Sequence, residues 1–170
     1  MWQRRAKHCP LCSEPLAIAV LEGRERMRCT VCAFVLYENP ACAAAGMVVD
    51  ELGRILLVRR AIEPWRGHWA LPAGYQEVDE EPARTAAREV AEESGIEVEV
   101  VELVDLLYVP ANPVKAANLA VYRCRPIGGA LRRGADTLEA AWFDPASLPA
   151  DMGFENGPRI LRWLARLGPR

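Results

Sequence analysis

Apolar and polar positions along the chain change period several times, and each change marks an element. Two apolar runs, "AAAGMVVD" and "RILLVRR", are separated by Glu51, Leu52 and Gly53 and predict a β-hairpin. "EPWRGHWALPAG" is rich in Pro, Gly and Trp and predicts an ordered loop. A helix follows, because Pro82 suits a first helical position, 83–91 are mostly good helix formers, and Gly95 is placed to end it. Residues 96–109 alternate apolar and polar positions and predict one long strand or a bent pair, and "ANLAVYRCR" at 117–125 predicts another. "GGALRRGAD" is a loop, "TLEAAWF" a short strand, and "GPRILRWLARL" a closing amphipathic helix with Ile160, Leu161, Trp163, Leu164 and Leu167 toward the core. No internal repeat interrupts the pattern, which describes an α/β mixed sheet flanked by helices.

The helix carries Glu89, Glu92 and Glu93 on one face, within an arc of about 100°. Like charges at these spacings cost roughly 0.2–0.5 kcal/mol per pair on an exposed helix. Two explanations compete. One is a solvated acidic face, with Arg88 four residues before Glu92 as a salt-bridge partner. The other is a platform for a hard divalent cation, since Mg²⁺ takes oxygen ligands and holds substrate phosphate through one or two carboxylates.

Composition bounds the function. The 170 residues are 51% hydrophobic, enough for one substantial domain with a small appendage, and the net charge of −2 gives no general footprint for nucleic acid. Residues 1–28 do hold six basic and three acidic side chains, a mild local bias. No apolar run is long enough to span a bilayer, and "MWQRRAKHCP" lacks a signal-peptide core, so the expectation is a cytoplasmic protein without membrane association.

Six cysteines in such a compartment point to metal or burial rather than disulfides. Cys9 and Cys12 in "CPLC", and Cys29 and Cys32 in "CTVC", form two pairs separated by sixteen residues, enough for a hairpin to unite them around a structural Zn²⁺ ion. A redox pair or a metal-free remnant is the alternative. Asn39 and Pro40 then mark the exit, giving a zinc ribbon over 1–38 and a second domain over 39–170. Cys42 and Cys124 are expected to be buried packing residues.

Gly74, five residues, Glu80, seven residues and "REVAEESGI" resemble the signature of the Nudix hydrolases at all nine specified positions across 23 residues. "GHWALPAGYQE" resembles the loop and strand that enter that motif. The ribbon, "YENP" and "RRAIEPWRGHWALPAGYQEVDE" resemble a zinc-ribbon-bearing subgroup that includes enzymes acting on FAD and ADP-ribose, and the likeness covers most of residues 8–155. It implies a Nudix α/β/α sandwich that hydrolyses the pyrophosphate bond of a nucleoside diphosphate linked to another moiety. ADP-ribose or FAD would give AMP and a phosphorylated product.

By the same resemblance Glu89 and Glu93 lead the ligands of Mg²⁺ or Mn²⁺, Glu92 is a third, and the Ala73 carbonyl joins them. Arg88 orients the carboxylates with Glu80 as partner. The general base is Glu92, Glu139 just before "AAWF", or Glu77. Trp65, Trp69 and Tyr75 are candidates to stack on an adenine or flavin ring, although core packing explains Trp69 equally well. His8 and His68 are expected to be incidental. "LLYVPANPVK" stands where ribbon-bearing NADH pyrophosphatases have Ser-Gln-Pro-Trp-Pro-Phe, which disfavours NADH; Pro110 and Pro113 suit ADP-ribose enzymes. Two alternatives stay open, an NADH pyrophosphatase and a non-catalytic nucleotide sensor whose ribbon binds RNA or protein. Relatives of this kind raise a homodimer as a further expectation.

Overall fold

A computed structural model describes residues 5–110 and 115–167, which fall into two compact units. The small one holds the residues before Ala41 together with Pro110, Lys115 and Ala116; the large one holds Ala41–Val109 and 117–167. Pro113, one of the two prolines singled out above, lies outside the described residues.

In the small unit β1 (Leu16–Leu21) and β2 (Arg24–Cys29) form an antiparallel hairpin, and β3 (Val35–Leu36) pairs with β2. Glu22 and Gly23 turn the hairpin with φ of 52° and 75°. Two successive positive values give the local twist that a tight two-residue hairpin needs.

The large unit contains two sheets. Strands β4 (Ala41–Val48), β7 (Ala73–Tyr75), β8 (Ile96–Val109) and β9 (Ala117–Gly129) make one, in the order β7-β4-β9-β8, with β4 parallel to β9 and the other pairs antiparallel. Strands β5 (Ile55–Arg60), β6 (Trp69–Ala70) and β10 (Thr137–Phe143) make the other, in the order β10-β5-β6. The helices are α1 (Pro82–Ser94) and α2 (Asn156–Leu167). No helix among the described residues is long and apolar enough to cross a membrane.

Alternation along the strands builds a core on each side. Ala45, Met47 and Val49 join Ile55, Leu57, Trp69 and Val121 beneath Ile160 and Trp163 of α2. Val48, Leu56, Ile96 and Cys124 face Val90 of α1. Strands covered on both faces read as unbroken apolar runs, which is why "GMVV" and "ILLV" lack polar breaks. Trp163 also donates through Nε1 to Asp105 Oδ2 at 2.9 Å, which satisfies the indole nitrogen within the core.

Several expectations are corrected here. β4 and β5 do not form a hairpin in one sheet; they touch at a single Val49–Ile55 bridge and then diverge into different sheets. The reason is edge occupancy, because β7 and β9 already take both edges of β4. Strand β9 continues to Gly129 through its pairing with Ile96 and Glu97, consuming the start of the expected loop. Leu161 is 47% exposed, since at about 100° per residue it points roughly 130° away from the shared direction of Ile160 and Trp163 on α2. Cys42 is exposed, while Cys124 is buried as expected.

Gly46 faces α1 so closely that a Cβ there would lie 2.3 Å from Val90 Cγ2. Gly46→Ala is therefore expected to cost about 1–3 kcal/mol by overpacking. A thermal melt should show the midpoint falling by roughly 2–12 °C, and an unchanged midpoint would contradict this contact.

Candidate active site

Helix α1 begins at Pro82 and stops at Gly95, whose φ of 74° lets its N–H close back on the Ala91 carbonyl at 2.9 Å. Its acidic face meets β7. The Ala73 N–H donates to Glu93 Oε2 at 3.1 Å, and a Cβ on Gly74 would lie 2.2 Å from the Glu89 carboxylate. Only glycine lets this strand pass so near that carboxylate. The carbonyl end of α1 is fastened as well, because Gly134 N–H and the Thr137 hydroxyl both donate to the Glu93 carbonyl, at 3.0 and 3.2 Å.

Arg88 is the hub of the site and commits every nitrogen. Its Nε and Nη2 grip the Glu80 carboxylate at 2.7 and 3.0 Å, and Nη1 reaches Glu89 at 2.7 Å and Glu92 at 3.1 Å. Nη2 also donates to the Tyr75 carbonyl at 3.0 Å. Glu80 further accepts from the Thr85 hydroxyl and the Glu77 N–H. Hydrogen bonding from Arg88 is the main reason that the Glu80 carboxyl is held down at about 2, and Arg88 itself is pushed up by Glu80.

Glu89 and Glu93 behave oppositely. Desolvation raises both, against the hydrogen bond from Arg88 at Glu89 and the N–H of Ala73 at Glu93, and Glu93 reaches about 7. Two half-sequestered carboxylates destabilised by lost hydration would gain from a divalent cation, which would restore the missing counter-charge. Among the described residues, the four cysteines are the set of three or more ligand residues whose donor atoms gather within reach of one ion.

Those sulfurs all lie within 4.8 Å of one another, with Cys9–Cys32, Cys12–Cys29 and Cys12–Cys32 at 3.6, 3.5 and 3.6 Å. A zinc–thiolate tetrahedron with bonds of about 2.3 Å has edges of about 3.8 Å, so the set fits Zn²⁺. Backbone N–H groups of Cys32 and Val31 point at Cys29 Sγ, at 3.3 and 3.4 Å, and are the main reason that this thiol is lowered to about 6.

The other predicted residues scatter. Tyr75 is exposed at the end of β7, and Trp65 is 43% exposed between His68 and Phe154, at ring distances of 5.2 and 6.0 Å. Trp69 is core, packed edge-on against Phe143 at 4.8 Å. Glu139 is exposed on β10 opposite Arg59 in the ladder. Asp136, three residues earlier, instead contributes to the field at both Glu93 and Arg60. Arg60, Asp136 and Phe154 were missed from sequence. The "RR" ending β5 contains no signal that separates Arg60, beside the acidic site, from Arg59, which turns to Gly67 and Asp151.

The arrangement of strand, glycine, acidic helix and half-buried arginine coincides with the NUDIX domain model, which matches residues 40–164. The chain belongs to the Nudix family. This Nudix chain is 39% identical over 127 residues to a MutT-like protein of Streptomyces ambofaciens, covering 75% of this chain and 79% of that protein. It is 34% identical over 132 residues to an ADP-ribose pyrophosphatase of Methanocaldococcus jannaschii, covering 75% and 77%. A crystal structure of a Nudix hydrolase from Nitrosomonas europaea superposes with a TM-score of 0.84 at 29% identity, covering 93% of this chain and 90% of that one. The Nudix chain is accordingly a hydrolase of the pyrophosphatase type, on an α/β/α fold with a mixed sheet.

The raised Glu93 sets a pH dependence. Below the ordinary carboxylate range both folded and unfolded chains hold this proton; between about 4.5 and about 7 only the folded chain does. Stability without divalent cations should therefore fall as pH rises through that window, by up to about 3 kcal/mol. Denaturant titrations across that range should show a slope that Glu93→Gln flattens; identical slopes would refute the buried-carboxylate assignment.

Proposed function

We propose that this enzyme hydrolyses the pyrophosphate bond of a nucleoside diphosphate joined to another group, with ADP-ribose the leading substrate and FAD the second. The observation that carries the reading is the pair of desolvated carboxylates, Glu89 and Glu93, held against Ala73 and Gly74 while Arg88 is saturated by Glu80, Glu89 and Glu92. Similarity to an ADP-ribose pyrophosphatase supports the choice of substrate.

Glu89 and Glu93, with Glu92 and the Ala73 carbonyl, would hold Mg²⁺ or Mn²⁺. Bound there, the cation supplies charge neutralisation at phosphate oxygens and acidifies a water. In the reaction, water oxygen bonds to one phosphorus, the bridging P–O bond breaks, and two phosphomonoesters leave with release of a proton. Arg88 and Glu80 orient the carboxylates. Glu92, exposed and tied to the site only through Arg88, can take the proton from water, with Glu139 and Glu77 as the other acids assigned to that role. Trp65 and Tyr75 offer exposed rings to the base.

Cys9, Cys12, Cys29 and Cys32 would hold a structural Zn²⁺, with the ribbon over 1–38 and the hydrolase over 39–170. Four thiolates close the coordination sphere, so this ion has no open position for chemistry. Its contribution would be to the folding of a segment that leaves Ile18, Val20 and Val31 exposed.

Chromatography after incubation with Mg²⁺ and FAD, ADP-ribose, NADH or a nucleoside triphosphate tests the reading. AMP and ribose phosphate from ADP-ribose are expected, with Glu93→Gln slower by at least about 100-fold yet folded. Metal-dependent cleavage of none of the four would overturn it. Separately, elemental analysis should find one zinc per chain, and Cys12→Ser should lose it and expose the small unit to protease; a metal-free chain with a stable small unit would refute the zinc assignment.

A further inference from the structure

The site contains two arginines in opposite conditions. Arg88 has spent all of its donors on Glu80, Glu89, Glu92 and the Tyr75 carbonyl. Arg60 has not. Its Nε donates to the Pro64 carbonyl at 2.9 Å, and its guanidinium carbon lies 5.2 Å from the centre of the Phe154 ring. Among the described residues it forms no ion pair, although Glu93, Glu63 and Asp136 all bear on it electrostatically. Burial is the largest influence on this cation. A desolvated guanidinium held by a backbone oxygen and a ring, with its terminal nitrogens uncommitted, lacks a bidentate anion.

The surroundings define that anion. Arg60 closes β5, where its N–H donates to the His68 carbonyl and its carbonyl accepts from Gly67, so the guanidinium stands on a fixed base beside Glu93. Two loops distant in sequence meet over it. The Gly153 N–H donates to the Trp69 carbonyl at 2.8 Å, and a Cβ on Gly153 would lie 3.1 Å from Trp65 Cβ. Trp65, Phe154 and Glu155 all adopt positive φ, at 68°, 56° and 55°. Bulky residues rarely occupy that region, and such strain persists where the surroundings over-determine it, often at ligand clamps. Here it turns the Phe154 ring under Arg60 and leaves the Trp65 ring exposed beside it.

We propose that Arg60 binds a phosphate of the substrate through its terminal nitrogens, that Phe154 positions Arg60, and that Trp65 receives the planar base of the same nucleotide. This rests on the pyrophosphatase reading and adds the recognition of the nucleotide half. The logic is one of charge. A divalent cation on Glu89 and Glu93 would consume the negative charge that now balances Arg60, so the guanidinium would then need the substrate's phosphate.

Calorimetric binding of AMP and of adenosine, beside the kinetics of ADP-ribose hydrolysis, tests the assignment. The wild-type protein should bind AMP at least about tenfold more tightly than adenosine. Arg60→Met should erase that gap and raise KM for ADP-ribose about tenfold or more, with kcat changed less than about threefold. Arg60→Lys, which keeps the charge and stem and serves should Arg60→Met fail to fold, should recover part of the gap. Phe154→Leu should also narrow it, and Trp65→Ala should weaken AMP and adenosine alike, by about tenfold. Hydrolysis by wild type, with the gap and KM unmoved in both Arg60 variants, would overturn this proposal and leave the pyrophosphatase reading intact. Wild type that neither binds AMP nor cleaves any of the substrates would overturn both.

Discussion

Four carboxylates, those of Glu80, Glu89, Glu92 and Glu93, crowd the contact between α1 and β7, and three of them bond to one arginine. Arg88 can offset only part of that charge, and Glu80 takes the larger share through a two-nitrogen grip. The remainder falls on Glu89 and Glu93, which burial has already deprived of water. A folded protein relieves such a deficit by protonation or by a cation. The proposed chemistry draws on this imbalance, since a divalent cation would relieve it and an anionic substrate would follow the cation.

The fold maintains the imbalance by bringing the helix too close to the sheet for water. Gly46 faces Val90 and Gly74 faces Glu89, each at a distance that a methyl group would forbid. Two separate cores hold this approach: α1 sits on Val48, Leu56 and Cys124, while α2 covers Met47, Leu57 and Trp69 on the other side. Because residues alternate between these cores along β4 and β5, a one-residue slip would exchange them. The precision of the acidic site therefore depends on strands that contribute no ligand to it.

Much of this was legible in the sequence where the signal was local. The helix from Pro82 to Gly95, the strand "TLEAAWF" and the spacing of the four cysteines each depend on neighbours within a few residues or on simple periodicity. Non-local competition was not legible. The β4–β5 connection has every local mark of a hairpin, including the Asp50 carboxylate accepting from the Leu52 and Arg54 N–H groups, yet β7 and β9 pre-empt both edges of β4. Arg60, Asp136 and Phe154 escaped for the same reason. They stand 76 and 94 positions along the chain from first to second and from first to third, and only the folded loops bring Phe154 under Arg60. Arg88 was visible because its partners sit at helical spacing in one short segment.

The two ligand sets also differ in a way that separates structure from chemistry. The sulfurs of Cys9, Cys12, Cys29 and Cys32 gather to near-tetrahedral spacing on the turns that carry them. Soft, mutually close donors suit a small ion that accepts four ligands and nothing else. The glutamates are held one by one instead: Glu92 bonds to Arg88, and Glu93 accepts from the Ala73 N–H. Hard oxygen donors of this kind would leave a bound Mg²⁺ positions for waters and phosphate oxygens. A closed set of four thiolates leaves no place for a substrate, and the proposed division between a structural zinc site and a catalytic acidic helix draws on that difference in donor chemistry.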